Sequence, residues 1–84
     1  MYKVRLEKPA KRFLRKRNQE DQKRIIKKFR DLEKNPELGK PLTGKLAGLW
    51  SLRFGKFRAL YQIRRGELLV LVLNISHRKK IYKN

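Results

Sequence analysis

Apolar and polar positions alternate most clearly between Leu49 and Ile63, where the chain reads LWSLRFGKFRALYQI. The Gly55-Lys56 pair at its centre predicts a two-residue hairpin loop of type II′, with Gly first to supply the positive φ. Trp50 then faces Tyr61, Leu52 faces Ala59, Arg53 faces Arg58, and Phe54 faces Phe57. One side of the hairpin becomes Trp50, Leu52, Phe54, Phe57, Ala59 and Tyr61, an apolar set large enough for a core. The other side carries Ser51, Arg53, Arg58 and Leu60.

Upstream, Tyr2, Val4 and Leu6 alternate with Lys3 and Arg5, which predicts a short strand. Pro9 suits the first turn of a helix that keeps Ala10, Phe13, Leu14 and Arg17 on one stripe. Asn18 is placed to cap a second helix, with Glu20 and Asp21 in the first turn, where the helix dipole favours acids. Gln22, Ile25, Ile26, Phe29, Leu32 and Glu33 hold a helical period to about Lys34, and Asn35-Pro36 ends it. Glu37 to Gly48, with three Gly and one Pro, reads as a loop. Leu68 to Ile75 is an apolar run without alternation, the pattern of a strand buried on both faces. The expected fold is α+β: one small domain over residues 1–84, with an N-terminal strand, a helical hairpin and a three-stranded antiparallel meander. Both helices pack on one sheet face and leave the other open.

Charge changes this picture more than composition does. The 84 residues hold 25 Lys and Arg against 7 Asp and Glu, a net charge of +18. Surface ion-pair networks need comparable numbers of both signs, so this excess points instead to a polyanionic partner: nucleic acid, a ribosome or an acidic protein. Cys is absent, which excludes disulfides and thiolate metal sites. No apolar run reaches the roughly 18 residues of a membrane span, and the first residues lack the apolar core of a secretory signal. The expectation is a cytoplasmic protein without a membrane partner.

Like charges directly opposite on a sheet cost stability, so the Arg53–Arg58 pair suggests an anion such as phosphate between them. Asn74, Ser76 and Arg78 share one parity on the last strand, which would bring Arg78 to the same open face, with Lys56 at the hairpin tip and His77 and Tyr82 nearby. A hydrolytic metal centre wants clustered His and carboxylates, whereas His77 is the sole His and the acids fall mainly on helices and loops. There is no GxxxxGK[ST] phosphate loop, and the neighbours Ser76 and His77 point to opposite faces of a strand. Metal-independent RNA cleavage, which needs no cofactor, remains feasible. The substrate's 2′-hydroxyl attacks the adjacent phosphate, and the enzyme supplies a base, an acid and positive charge. Arg53, Arg58 and Arg78 would give the charge, and Tyr82 or His77 would carry the proton.

The run from Leu42 to Tyr61, LTGKLAGLWSLRFGKFRALY, followed by the HRKKIY tail, closely resembles the RelE/ParE toxin superfamily, and the likeness covers nearly the whole chain. The RelE branch implies a microbial-ribonuclease-like domain that enters the ribosomal decoding site and cuts the mRNA codon there. It also implies an acidic RelB-like antitoxin whose complex with the toxin binds operator DNA. Arg53, Arg58, Arg78 and Tyr82 match the family's active positions. Ser51 stands where some members have a catalytic Lys, and the tail between Arg78 and Tyr82 is shorter, so the general base is Tyr82, His77 or Lys56. RNA contacts are expected from Lys45, Ser51, Lys56, Lys79 and Lys80, and from the basic helix faces with Lys11, Arg12, Arg15, Lys16, Lys23, Lys27 and Lys28. The alternatives are a ParE-like gyrase poison that cuts no RNA, and a non-catalytic RNA- or ribosome-binding module.

Overall fold

A computed structural model describes residues 1–78. The chain runs through β1 (Lys3–Leu6), α1 (Lys8–Arg15), α2 (Gln19–Lys34), β2 (Lys40–Pro41), β3 (Leu49–Phe54), β4 (Phe57–Arg64) and β5 (Leu69–His77). The strands form one sheet in the order β1-β5-β4-β3-β2, with β1 parallel to β5 and the other pairs antiparallel. As expected, both helices pack on one face of this sheet and the meander follows them.

The helices start where local chemistry dictates. Pro9 occupies the first turn of α1, where its missing N–H costs nothing. The Asn18 side chain accepts from the Asp21 N–H at 2.8 Å, a cap worth about 1 kcal/mol to α2. The inward stripe of α2 is Asp21, Ile25, Phe29 and Leu32. Ile26, which shares the helical period, is 42% exposed at the edge of that stripe.

Two parities divide the sheet. Facing the helices are the cross-strand rows Trp50–Tyr61–Val72, Leu52–Ala59–Ile75 and Phe54–Phe57–His77. Leu52, Phe54, Phe57, Ala59, Tyr61, Val72 and Ile75 of these rows make the core with Val70, Ala10, Ile25, Phe29 and Leu32, and Val4, Leu6, Phe13, Leu14 and Trp50 pack against it from its margins. A bulge between Leu60 and Tyr61 shifts the β4–β5 register, so that Asn74 opposes Leu60 while Val72 opposes Tyr61. Leu69 to Val72 are buried on both parities, as the unbroken apolar run predicts.

The sequence reading of 37–48 as a loop misses β2. This two-residue strand pairs Lys40 with Ser51 and Pro41 with Trp50. It is held by Tyr61, whose buried hydroxyl donates to the Pro36 carbonyl at 2.6 Å and accepts from the Gly39 N–H at 3.0 Å. Gly39 is required there, because a Cβ would lie 2.6 Å from the Ser51 carbonyl oxygen and 2.9 Å from the Tyr61 hydroxyl. Two residues carry no periodicity, so only the tether reveals the strand.

Burial raises the Tyr61 pKa above 10.0, opposed by the Gly39 hydrogen bond and reinforced by the nearby Glu37 charge. The unfolded phenol therefore ionises first. Its stabilising contribution is complete below the unfolded pKa and is lost as pH rises through the folded one. Tyr61→Phe is expected to cost about 1–2 kcal/mol at neutral pH in urea unfolding, and to flatten the alkaline fall in stability above about pH 10.

Candidate anion-binding site

The hairpin tip sets the geometry. Gly55 has φ 54°, and Leu68 is the sole non-glycine residue of positive φ among those described, so Lys56 keeps a negative φ as a type II′ loop requires. The strands that leave this loop pair as the sequence predicts, with Arg53 opposite Arg58.

On the face away from the helices the rows are Lys40–Ser51–Leu60–Asn74 and Arg53–Arg58–Ser76. Between them and the segment leading into β2 lies a cleft of about 440 Å³, lined by Gly39, Lys40, Leu42, Ser51, Arg53 and Arg58 among others. None of its described lining residues is acidic. Arg58 is half-buried, and its Nε is buried without a hydrogen-bond partner among the described residues. A buried donor on a permanent cation is costly unless an acceptor reaches it. Guanidinium matches phosphate oxygens in a two-pronged geometry, so the arrangement is suited to a phosphodiester.

Lys40 belongs to this site although sequence reasoning placed it in a loop. Its signal was indirect: the Gly39 and Tyr61 that anchor it lie 22 residues apart. Ser51, on the hairpin face with Arg53 and Arg58, lines the cleft. Arg78 lies beside the hairpin tip, where its N–H donates to the Lys56 carbonyl at 2.7 Å, and it lines a separate recess with Gly55, Lys56 and His77 rather than the cleft of Arg53 and Arg58.

Two expected members of the site turn to the other side. The Lys56 ammonium is 3.2 Å from the Asp21 carboxylate and 5.6 Å from the centre of the Phe57 ring, which ties it to the helix side. His77 has core-side parity because it ends the Phe54–Phe57 row. Its ring packs against Phe13 and Phe57, at centroid distances of 5.5 and 5.7 Å, with Nε2 3.2 Å from an Arg17 guanidinium nitrogen. His77 therefore does not join Arg53 and Arg58. Lys11, Arg12 and Arg15 are exposed on α1, and Lys45 is exposed on the turn before β3, outside the cleft lining. Tyr82, Lys79 and Lys80 lie outside the described residues.

Comparison with known proteins places this geometry. The family model for the ParE toxin of the type II toxin-antitoxin system parDE matches residues 4–82. The chain belongs to the RelE/ParE toxin superfamily. Within it, toxin RelG of Mycobacterium tuberculosis is 43% identical over 56 residues, covering 66% of this chain and 64% of RelG. Toxin RelE of the same organism is 41% identical over 56 residues, covering 66% of this chain and 58% of that protein. The match thus spans less than two thirds of either relative. A chain of the crystallised toxin-antitoxin complex RelBE2 from M. tuberculosis superposes with a TM-score of 0.85 at 37% identity, over 92% of this chain and 98% of that one. The isolated RelE toxin of E. coli shares the RelE/ParE fold, with a TM-score of 0.78 at 16% identity over 98% of this chain and 89% of that one.

The cross-strand repulsion gives a direct test. In low-salt chloride buffer, Arg53→Gln is expected to stabilise the protein by about 0.5 kcal/mol, because it removes one of two opposed cations. Replacing chloride by phosphate at constant ionic strength should raise the melting midpoint of the wild type more than that of Arg53→Gln.

Proposed function

We propose that this protein is the toxin of a type II toxin–antitoxin system and that it cleaves mRNA in the decoding site of the ribosome. The observation that carries the reading is a cleft without acids among its described lining residues, in which Arg53 opposes Arg58 and the Arg58 Nε has no hydrogen-bond partner among the described residues. Arg53 and Arg58 bind the scissile phosphate, and Arg78 supplies further positive charge from the hairpin tip. The RNA 2′-oxygen attacks phosphorus, the bond to the 5′-oxygen breaks, and the products are a 2′,3′-cyclic phosphate and a 5′-hydroxyl end. A base accepts the 2′ proton and an acid protonates the leaving oxygen. Tyr82, by its family position, is the group we assign to the 2′ proton. Guanidinium groups stabilise the charge that builds on the equatorial oxygens, and this step needs no metal.

Lys11, Arg12 and Arg15 on α1, with Lys23 and Lys27 on α2, are exposed and grip ribosomal RNA phosphates without regard to sequence. Lys45 extends that grip beside β3, and Lys40 and Ser51 contact the message inside the cleft. The distorted backbone of a ribosome-bound codon presents the 2′-hydroxyl in line, which free RNA does only rarely. An acidic RelB-like antitoxin offsets the +18 charge, keeps the toxin inactive in the cytoplasm, and carries the complex to operator DNA. The solved RelBE2 relative is a toxin-antitoxin complex, which supports an antitoxin as the partner.

The test adds purified protein to ribosomes stalled on a defined mRNA and maps the new 5′ ends. Cuts within the decoding-site codon are expected, with mRNA alone uncut. Arg58→Ala should lower the rate by about 10²–10³-fold, the usual cost of losing one charge-stabilising donor. A second reading follows from the ParE family model that matches the chain, namely inhibition of DNA gyrase without RNA cleavage. Intact mRNA together with loss of supercoiling activity would establish that reading instead.

A further inference from the structure

The junction between α1 and the end of β5 holds an arrangement that the cleavage chemistry does not use. Arg17, just beyond α1, lies with its guanidinium carbon 4.2 Å from the centre of the Phe13 ring and donates from Nε to the Phe13 carbonyl at 3.2 Å. Its terminal nitrogen is 3.2 Å from His77 Nε2. A guanidinium has only donors, so in this contact His77 Nε2 is the acceptor. Phe13 and Phe57 hold the ring on two sides. One residue later, the Arg78 N–H donates to the Lys56 carbonyl at 2.7 Å, while the Lys56 ammonium reaches the buried Asp21 carboxylate at 3.2 Å.

We propose that Arg17 and His77 are positioning residues: they clamp the end of β5 to α1 and so hold Arg78 beside the hairpin tip. The proposal rests on the ribonuclease reading for its catalytic consequence, and it assigns His77 a role other than proton transfer. The nitrogen that would take a proton is already accepting one hydrogen bond from a permanent cation. The strand parity that directs Ser76 to the open face directs the His77 ring to the helices. The ladder to β4 holds the end of β5 from one side, where His77 pairs with Phe57, and the Arg17 contact adds a hold from the helix side against repulsion among the like charges nearby.

Three variants separate this role from a proton carrier. His77→Phe keeps the aromatic packing and removes the acceptor. His77→Gln returns an acceptor oxygen at about the reach of Nε2 but cannot shuttle a proton as imidazole does. Arg17→Met removes the donor and leaves the ring unchanged, and it carries the test if His77→Phe fails to fold. Amide hydrogen exchange at Arg78 and ribosome-dependent cleavage are measured on each. His77→Phe and Arg17→Met are expected to speed Arg78 exchange at least about tenfold. They should also lower kcat by about 10–100-fold with little change in KM, while His77→Gln stays within about threefold of wild type in both readouts. A Gln variant as inactive as the Phe variant, with Arg78 exchange still slow, would overturn the proposal in favour of proton transfer by His77. Unchanged Arg78 exchange in His77→Phe and Arg17→Met would overturn it as well. If the wild type cuts no ribosome-bound mRNA, the ribonuclease reading fails, and the exchange rates alone decide whether the clamp exists.

Discussion

The pairing of β3 with β4 governs almost everything else in this protein. Side chains on a strand alternate with a period of two, so a slip of β4 by one residue against β3 would turn β4 over. Phe57, Ala59 and Tyr61 would then meet water, and Arg58 would enter the core. Removing three apolar side chains from the interior costs far more than the repulsion between two partly solvated guanidinium groups. The core therefore holds the arginines together against their own electrostatics. The paired guanidinium groups on one face are secured by packing on the other.

That same coupling explains why so much was legible in the residues themselves. The hairpin, its register, the helix cap at Asn18 and the end of α2 at Asn35-Pro36 are local statements, made by residues within a few positions of one another. The two-faced burial of Leu69 to Val72 was written in the apolar run, whereas Leu68 at its start is 52% exposed in the preceding turn and Leu73 and Asn74 are only half-buried. β2 was not, because its existence depends on a hydroxyl that returns from Tyr61 to Pro36 and Gly39. The site followed the same division. The Arg53–Arg58 pair came from a local register, whereas Lys40 is brought in by the Tyr61 tether. His77 and Lys56 are turned to the helix side by partners far away in sequence, Arg17 and Asp21.

The helices contribute more than a lid on the core. Their connecting corner supplies Arg17 and Asp21 within a few residues; Arg17 reaches the end of β5 and Asp21 reaches Lys56 in the hairpin loop. Asp21 is the buried acid of the described residues, placed where the helix dipole and the Lys56 ammonium both favour its charge. In a chain with so few acids, this placement fastens a cationic tip to a cationic helix pair and adds no acid to the cleft on the opposite face.

Pro41 has one more consequence. It sits on the outermost strand, only two residues long, and it has no N–H to offer a newcomer. At the far border of the sheet, β1 exposes Lys3 and Arg5, which repel the same residues of another copy. A sheet with unpaired borders is ordinarily a template for fibrillar stacking of identical chains. Here one border is blunted by shape and the other by charge, so the protein discourages its own polymerisation while its broad cationic surface stays available to other molecules.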